Sequence, residues 1–345
     1  MYQEMARQTL LAGDASIRQR TTAYASRYER WEDLSSVRRR PRRNFPAPPD
    51  GSPPADLFFP PELYPVVLHP LVAAKGETVG KALLLCRLYD YLDFTVDLEN
   101  HAVIPVAQKI SRGRSGLILP EQMMADAYKI VTDEAWHGQF SYDFARQIAA
   151  TTLIPRAAAR DTGVPAFMQR LDDMRDQLPI SVRGLEALLF AIVSETLISG
   201  ILSDIPRDDR LPDSVRELVR DHAADEGRHH IYFRSVLEHL WPALTPEERR
   251  AIGPQVPAAV YAFLEPDYAQ TFRHLLGIGL TEAQADQVIA ESWPRETVRR
   301  GIAEAAAPVV RYFTNAGALD DARTLDSFER AGLIARQPIG AGATW

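Results

Sequence analysis

The stretch Pro212-Asp-Ser-Val-Arg-Glu-Leu-Val-Arg-Asp-His-Ala-Ala-Asp-Glu-Gly-Arg-His-His-Ile-Tyr-Phe-Arg-Ser-Val-Leu-Glu-His-Leu-Trp241 repeats apolar residues every three or four positions along its length. That period is the signature of one long amphipathic helix. Residues 76–103, 119–152, 181–204 and 245–264 read the same way. Breakers stand between these windows: Pro105, Gly113-Arg-Ser-Gly116, Pro155, Gly163-Val-Pro165, Pro206 and Pro242. Leu244-Thr-Pro-Glu247 offers a threonine N-cap followed by proline at the first helical position. Alternating β patterns are nearly absent. The fold expected is all-α, with helices of about 20 to 30 residues that suit a bundle.

The remaining sequence limits the function. With 345 residues, 46% of them apolar, there is ample material for a core. A formal net charge of -7 gives no support to a nucleic-acid surface. The single cysteine, Cys86, excludes disulfide frameworks, CxxC redox motifs and thiolate zinc sites. Scarce cysteine and no secretory pattern at the start make a cytoplasmic protein the expectation. The most apolar run, Leu185 to Leu202, carries Glu186 and Glu195, so no membrane span is expected. Residues 1–40 read as an irregular helical arm, with Tyr24, Tyr28 and Trp31 at helical spacing. The run Arg38, Arg39, Arg40, Arg42 and Arg43 reads as the start of a solvated linker. Ten of the 25 prolines fall between Pro41 and Pro70, which predicts an extended strap. Residues 1–56 are thus assigned to arm and strap, 57–335 to one domain and 336–345 to a tail. Gly76-Glu-Thr-Val-Gly-Lys81 and Gly113-Arg-Ser-Gly116 fail as phosphate loop and nucleophile elbow, because their spacing is wrong and no strand precedes them.

Chemistry concentrates in two copies of one pattern, Asp133-Glu-Ala-Trp-His137 and Asp225-Glu-Gly-Arg-His229. Chance supplies ~0.5 ExxH pairs in such a chain and ~0.04 with a preceding aspartate. Three residues advance a helix by about 300°, so each Glu and His share a face one turn apart. Each pair offers a metal one carboxylate and one imidazole. Glu99 lies 35 residues before Glu134, and Glu195 lies 31 before Glu226. A helical hairpin of that length can bring each pair of glutamates level. Both upstream glutamates have heavily apolar neighbours, where an unpartnered carboxylate would cost several kcal/mol. His222 precedes Glu226 by four residues and falls on the same face, which adds a nitrogen donor. Asp133 and Asp225 can each accept the distal N–H of the other half's histidine, and Arg228 can pair with Asp133. Tyr91 falls near the Glu99 face. One such pattern alone would be a solvated acidic face; two, with matching upstream glutamates, point to a pair of metals. His69, His101, His230, His239 and His274 are read as packing or surface residues.

Glu99, Glu134-xx-His137, Glu195 and His222-xxx-Glu226-xx-His229, in this order and spacing, resemble the AurF-like diiron N-oxygenases. The resemblance spans about residues 57–335, including Phe58-Phe-Pro-Pro-Glu-Leu-Tyr-Pro-Val-Val-Leu-His-Pro70 and Leu244-Thr-Pro-Glu-Glu-Arg-Arg250. It implies a ferritin-like bundle with additional flanking helices, seven metal ligands and a homodimer. It also implies O₂ activation at two irons through a peroxo-diferric intermediate. An amine in natural-product biosynthesis would become a hydroxylamine, nitroso or nitro compound. Oxygen-rich ligation with some imidazole suits iron, with manganese as the alternative. The substrate would be a small-molecule amine, free or tethered to a carrier protein, and an external donor would supply electrons. Arg299, Arg300 and Arg311 are the cations expected to cover the site and meet an acidic substrate. The competing readings are a diiron C–H hydroxylase or desaturase on the same bundle, and an iron-storage bundle.

Overall fold

The computed structural model describes residues 24–45, 57–152, 154 and 164–335. Among them there is no strand, and the architecture is an all-α bundle. Helix α1 (Glu77–Leu98) passes through a wide π-helical turn (Glu99–Val103) into α2 (Ile104–Ser111). Then follow α3 (Glu121–Thr152), α4 (Ala166–Gln177), α5 (Leu185–Ile201) and α6 (Asp213–Ala243). The remaining helices are short: α7 (Pro246–Ile252), α8 (Val256–Leu264), α9 (Tyr268–Gly277), α10 (Glu282–Ser292), α11 (Arg295–Ala305), α12 (Ala307–Asn315) and α13 (Ala322–Ala331).

Two hairpins build the centre. In one, α3 packs along α1 and α2; in the other, α5 packs along α6. Between hairpins the backbones approach at fewer points, and the gap is filled by buried glutamates, aspartates and histidines instead of aliphatic side chains. The apolar core surrounds that layer: Leu85, Leu88 and Leu92 from α1, Ile130 and Phe144 from α3, Phe190 and Val193 from α5, and Val219 and Phe233 from α6 are buried.

Three local expectations change. Pro105 does not end the first helix; the π-turn just before it accommodates the proline, which has no N–H to donate. The window 245–264 breaks at Gly253-Pro-Gln255 into α7 and α8. Its start carries the cap chemistry in full, with Thr245 Oγ1 accepting the Glu248 N–H and the Glu248 carboxylate accepting the Thr245 N–H. The strap is not extended over 57–73. It forms short helical turns, Pro61–Leu63, Pro65–Leu68 and Pro70–Ala73, each opened by a proline, and buries Phe58, Phe59 and Tyr64. Residues 46–56, with the strap's middle prolines, lie outside the described residues, as do 1–23, Pro155, Gly163 and the 336–345 tail.

The arm also differs from its expected form. Residues 24–30 are not helical, and only the turns Trp31–Leu34 and Ser36–Arg39 are. Its arginines do not begin a solvated linker. Arg43 pairs with Asp221 and Glu217 (2.7 Å each), Arg40 with Asp221 (3.4 Å) and Arg42 with Asp143 (3.0 Å). These contacts fasten the arm across α3 and α6. No helix of the described residues is long and apolar enough to cross a membrane.

Candidate metal centre

Glu99 lies in the π-turn, Glu134 and His137 on α3, Glu195 on α5, and His222, Glu226 and His229 on α6. The structure brings all of them together, each fully shielded from solvent. Donor atoms of Glu99, His137, His222 and Glu226 lie within 4.8 Å of one another, as do those of Glu134, His137, Glu226 and His229, and those of Glu99, Glu134 and Glu195. The three sets share members and so form one cluster. His137 Nδ1 is 2.8 Å from Glu134 Oε2 and 3.2 Å from Glu226 Oε1. His222 Nε2 is 3.0 Å from Glu226 Oε1 and 3.9 Å from Glu99 Oε1. His229 Nδ1 is 2.8 Å from Glu134 Oε1 and 3.7 Å from Glu195 Oε2.

The cluster is unfinished as protein alone. Both carboxylate oxygens of Glu99 and Glu195 are buried without a hydrogen-bond partner, while those of Glu226, Oε1 of Glu134, Nε2 of His222 and Nδ1 of His229 are buried in close contacts that do not meet hydrogen-bond geometry. Native interiors hold few such atoms, because each costs about 1–3 kcal/mol. Here they are concentrated at one point and aimed at one another, which fits a set of donors shaped for cations.

Charge in this cluster is balanced by protons. Burial, and then the neighbouring carboxylates Glu134 and Glu226, push Glu99 and Glu195 well above the usual carboxylate range. Burial opposes ionisation of Glu134 and Glu226 as well, but the His229 charge and the close imidazoles hold both below that range. Burial likewise works against charged His137 and His229, yet their carboxylate partners raise both rings well above ordinary histidine. Burial and the charge on His137 keep His222 low, hence neutral. Two divalent cations would displace the protons on Glu99, Glu195, His137 and His229. Loading in weakly buffered solution is therefore expected to release about four protons, read with a pH indicator. Metal bound with one proton or none released would show that protons do not balance the charge of this cluster.

Around the donors lies a second ring of contacts. Asp225 Oδ2 accepts the His137 Nε2–H at 3.1 Å, and Asp133 Oδ2 accepts the His229 Nε2–H at 3.3 Å, so each aspartate serves the histidine of the other helix. This fixes both tautomers and leaves each Nδ1 facing the cluster. Burial would raise the Asp225 carboxyl, but His137 pulls it down to about 2. Arg228 does not reach Asp133. It lies one turn from Asp225 on the same helix and pairs there instead. Tyr91 Oη is 3.4 Å from His222 Nδ1, and the Phe140 ring packs edge-on to His222.

Arg299, Arg300 and Arg311 are not at the centre. Arg299 donates to the Arg330 carbonyl (3.2 Å) and lines a cleft of about 560 Å³ with Tyr261, Tyr268, Trp293, Arg295 and Arg330. Arg300 is exposed, and Arg311 stacks over Tyr312 at 5.3 Å. The reason is the orientation of α11 and α12, which bury Ile302 and Val309 with Phe313, so Arg300 and Arg311 face outward and Arg299 turns to the cleft.

The arm supplies contacts that the motifs do not reveal. The Trp31 indole N–H donates to both oxygens of Asp133 at 2.9 Å, and the Ser35 hydroxyl donates to Oδ1 at 2.5 Å. The Ser36 backbone N–H donates to Asp225, 3.2 Å from each oxygen. The Tyr28 ring lies nearly parallel to His229, 14° between planes and 6.4 Å between centroids. One signal in the sequence does point this way: a buried aspartate has more acceptor capacity than a single histidine can satisfy.

The p-aminobenzoate N-oxygenase AurF family matches residues 35–317. The chain belongs to that family. The AurF-family match starts at Ser35, inside the arm, and contains every residue of the buried cluster. The 4-aminobenzoate N-oxygenase of Streptomyces thioluteus is 22% identical over 231 residues, covering 66% of this chain and 67% of that protein. Membership in the AurF family makes the protein an oxygenase, and the buried Glu/His cluster is where a metal could bind.

Proposed function

We propose that the protein holds two irons at the buried cluster and uses O₂ to oxidise the nitrogen of a small-molecule amine, in natural-product biosynthesis. The observation that carries this reading is the group of buried donor atoms without a hydrogen bond on Glu99, Glu134, Glu195, His222, Glu226 and His229, with His137 among them. Glu99, His137, His222 and Glu226 would hold one iron, and Glu134, Glu195 and His229 the other, with Glu134 and Glu226 near both. Oxygen donors in excess, with imidazoles, suit iron and also admit manganese. Bound iron would supply the redox chemistry that activates O₂.

The protein's own groups set the conditions. His137 and His229 give their Nε2–H to Asp225 and Asp133, which raises the basicity of each Nδ1 toward a metal. With its Nδ1–H turned to Tyr91 Oη, 3.4 Å away, His222 would keep the Nε2 lone pair for coordination. Phe140, packed against His137 and His222, keeps water from that end. An AurF-family relative named for 4-aminobenzoate supports an amine as the substrate class. The test is anaerobic loading with Fe(II), metal quantitation, then O₂, a reductant and candidate arylamines. Two irons per chain, and product masses matching hydroxylamine, nitroso or nitro compounds, are expected. Oxygen found on carbon, or a desaturated product, would overturn the N-oxygenase reading in favour of a hydroxylase or desaturase.

A further inference from the structure

Oxidation of an amine to a hydroxylamine balances as R–NH₂ + O₂ + 2e⁻ + 2H⁺ → R–NHOH + H₂O. The two electrons come from outside, while every donor atom of the cluster is sealed from solvent. We propose that these electrons enter at Trp31 and reach the centre through Asp133 and His229, an inference that rests on the two-iron reading above.

The path is short and continuous. The Trp31 side chain is buried, 8% exposed, beneath the exposed residue Arg38, whose guanidinium lies 5.9 Å from its ring centre. Its indole N–H is bonded to Asp133 at 2.9 Å. The same Asp133 oxygen accepts from His229 Nε2 at 3.3 Å, and the opposite nitrogen of that ring faces the cluster, 2.8 Å from Glu134 Oε1. Three groups therefore join the arm to the centre through hydrogen bonds, beginning in a delocalised ring one layer below the exposed Arg38. The other half of the site is connected differently: among the described residues the buried Tyr91 contacts His222 at 3.4 Å, and Trp136 reaches His137 and His222 through ring contacts with Phe140 and not through hydrogen bonds. There Asp225 is held by a backbone N–H of Ser36 and by Arg228, and neither presents an aromatic system. Tyr28 offers the rival route, since it stacks on His229 and contacts Tyr232 edge-on, but it is 1% exposed and its hydroxyl has no partner. In each step a one-electron carrier is oxidised and one Fe(III) is reduced to Fe(II). Two such steps supply one turnover.

The test uses the full chain loaded with iron and oxidised, with a reduced [2Fe–2S] ferredoxin as the probe. Loss of ferric absorbance is followed anaerobically by stopped flow. Trp31→Phe keeps an aromatic ring but removes the N–H, and is expected to slow reduction about 10- to 100-fold. Trp31→Tyr, which restores a donor, is expected to recover part of the rate and carries the test should the phenylalanine variant not fold. Tyr28→Phe is expected to reduce at the wild-type rate. Hydrogen peroxide brings both the oxygen and the electrons (R–NH₂ + H₂O₂ → R–NHOH + H₂O), so the peroxide-driven reaction separates electron delivery from positioning of Asp133. Donor-driven reduction in Trp31→Phe should fall at least about tenfold further than peroxide-driven product formation. Equal losses in the two, or slowing in Tyr28→Phe alone, would overturn the route. Iron quantitation comes first: a wild-type chain without two irons defeats the two-iron reading itself. Two irons retained with unchanged reduction in Trp31→Phe defeats only the path.

Discussion

Glu226→Ala is expected to reduce the iron content from two per chain to less than one and to lower N-oxygenation by about a hundredfold or more. No other carboxylate is so placed: its oxygens lie 3.2 Å from His137 Nδ1, 3.0 Å from His222 Nε2 and 3.5 Å from His229 Nδ1. It belongs to both histidine-containing donor sets, so its loss opens the two positions at once. The metal-free protein should suffer too. His137 and His229 are held in the charged state by carboxylates that include Glu226, and deleting one partner of a buried charged group costs about 3–5 kcal/mol. Iron quantitation, product analysis and far-UV circular dichroism on the same sample separate the effects. A helical Glu226→Ala protein that still binds two irons would refute the shared role.

Metal should stabilise the fold as strongly as it enables chemistry. Four glutamates and three histidines, all sealed from water, meet with many of their polar atoms making no hydrogen bond. A cation that binds only the native state contributes about 4 kcal/mol when it is present at a thousand times its dissociation constant. For a chain of this size that is on the order of 10 °C in thermal midpoint. Scanning calorimetry of chelator-treated protein, with and without ferrous or manganous ion, is expected to show the rise, and Glu195→Ala is expected to blunt it. An unchanged midpoint at saturating metal would mean that the buried polar layer is stable by proton sharing alone.

The sequence is informative wherever one helix carries the message. The long helices α3, α5 and α6 follow from apolar period, and the donors on α3 and α6 follow from a Glu and a His one turn apart. Glu99 and Glu195 follow from hairpin length and from the cost of a carboxylate in apolar surroundings. What cannot be seen locally is any contact made by distant chain. Trp31 meets Asp133 across 102 residues, and Ser36 meets Asp225 across 189. Proline also misleads, because Pro105 marks a wide helical turn carrying Glu99 and not a stop. The arginines of α11 and α12 were placed by their order in the chain, and helix rotation, which turns them outward, is not encoded in order.

The fastening of the arm has a consequence for biosynthesis. Residues 28–43 leave the ribosome early, but the α6 aspartates that receive them are translated nearly two hundred residues later. At about 5–20 residues per second, that interval is on the order of ten seconds or more. The indole gains Asp133 about half-way through it, 102 residues on, but Ser36, Arg40 and Arg43 have no docking surface until the end, when the second histidine-bearing helix is made. On the two-iron reading, metal uptake would consequently be a late event in the life of each new chain, together with docking of the arm on α6.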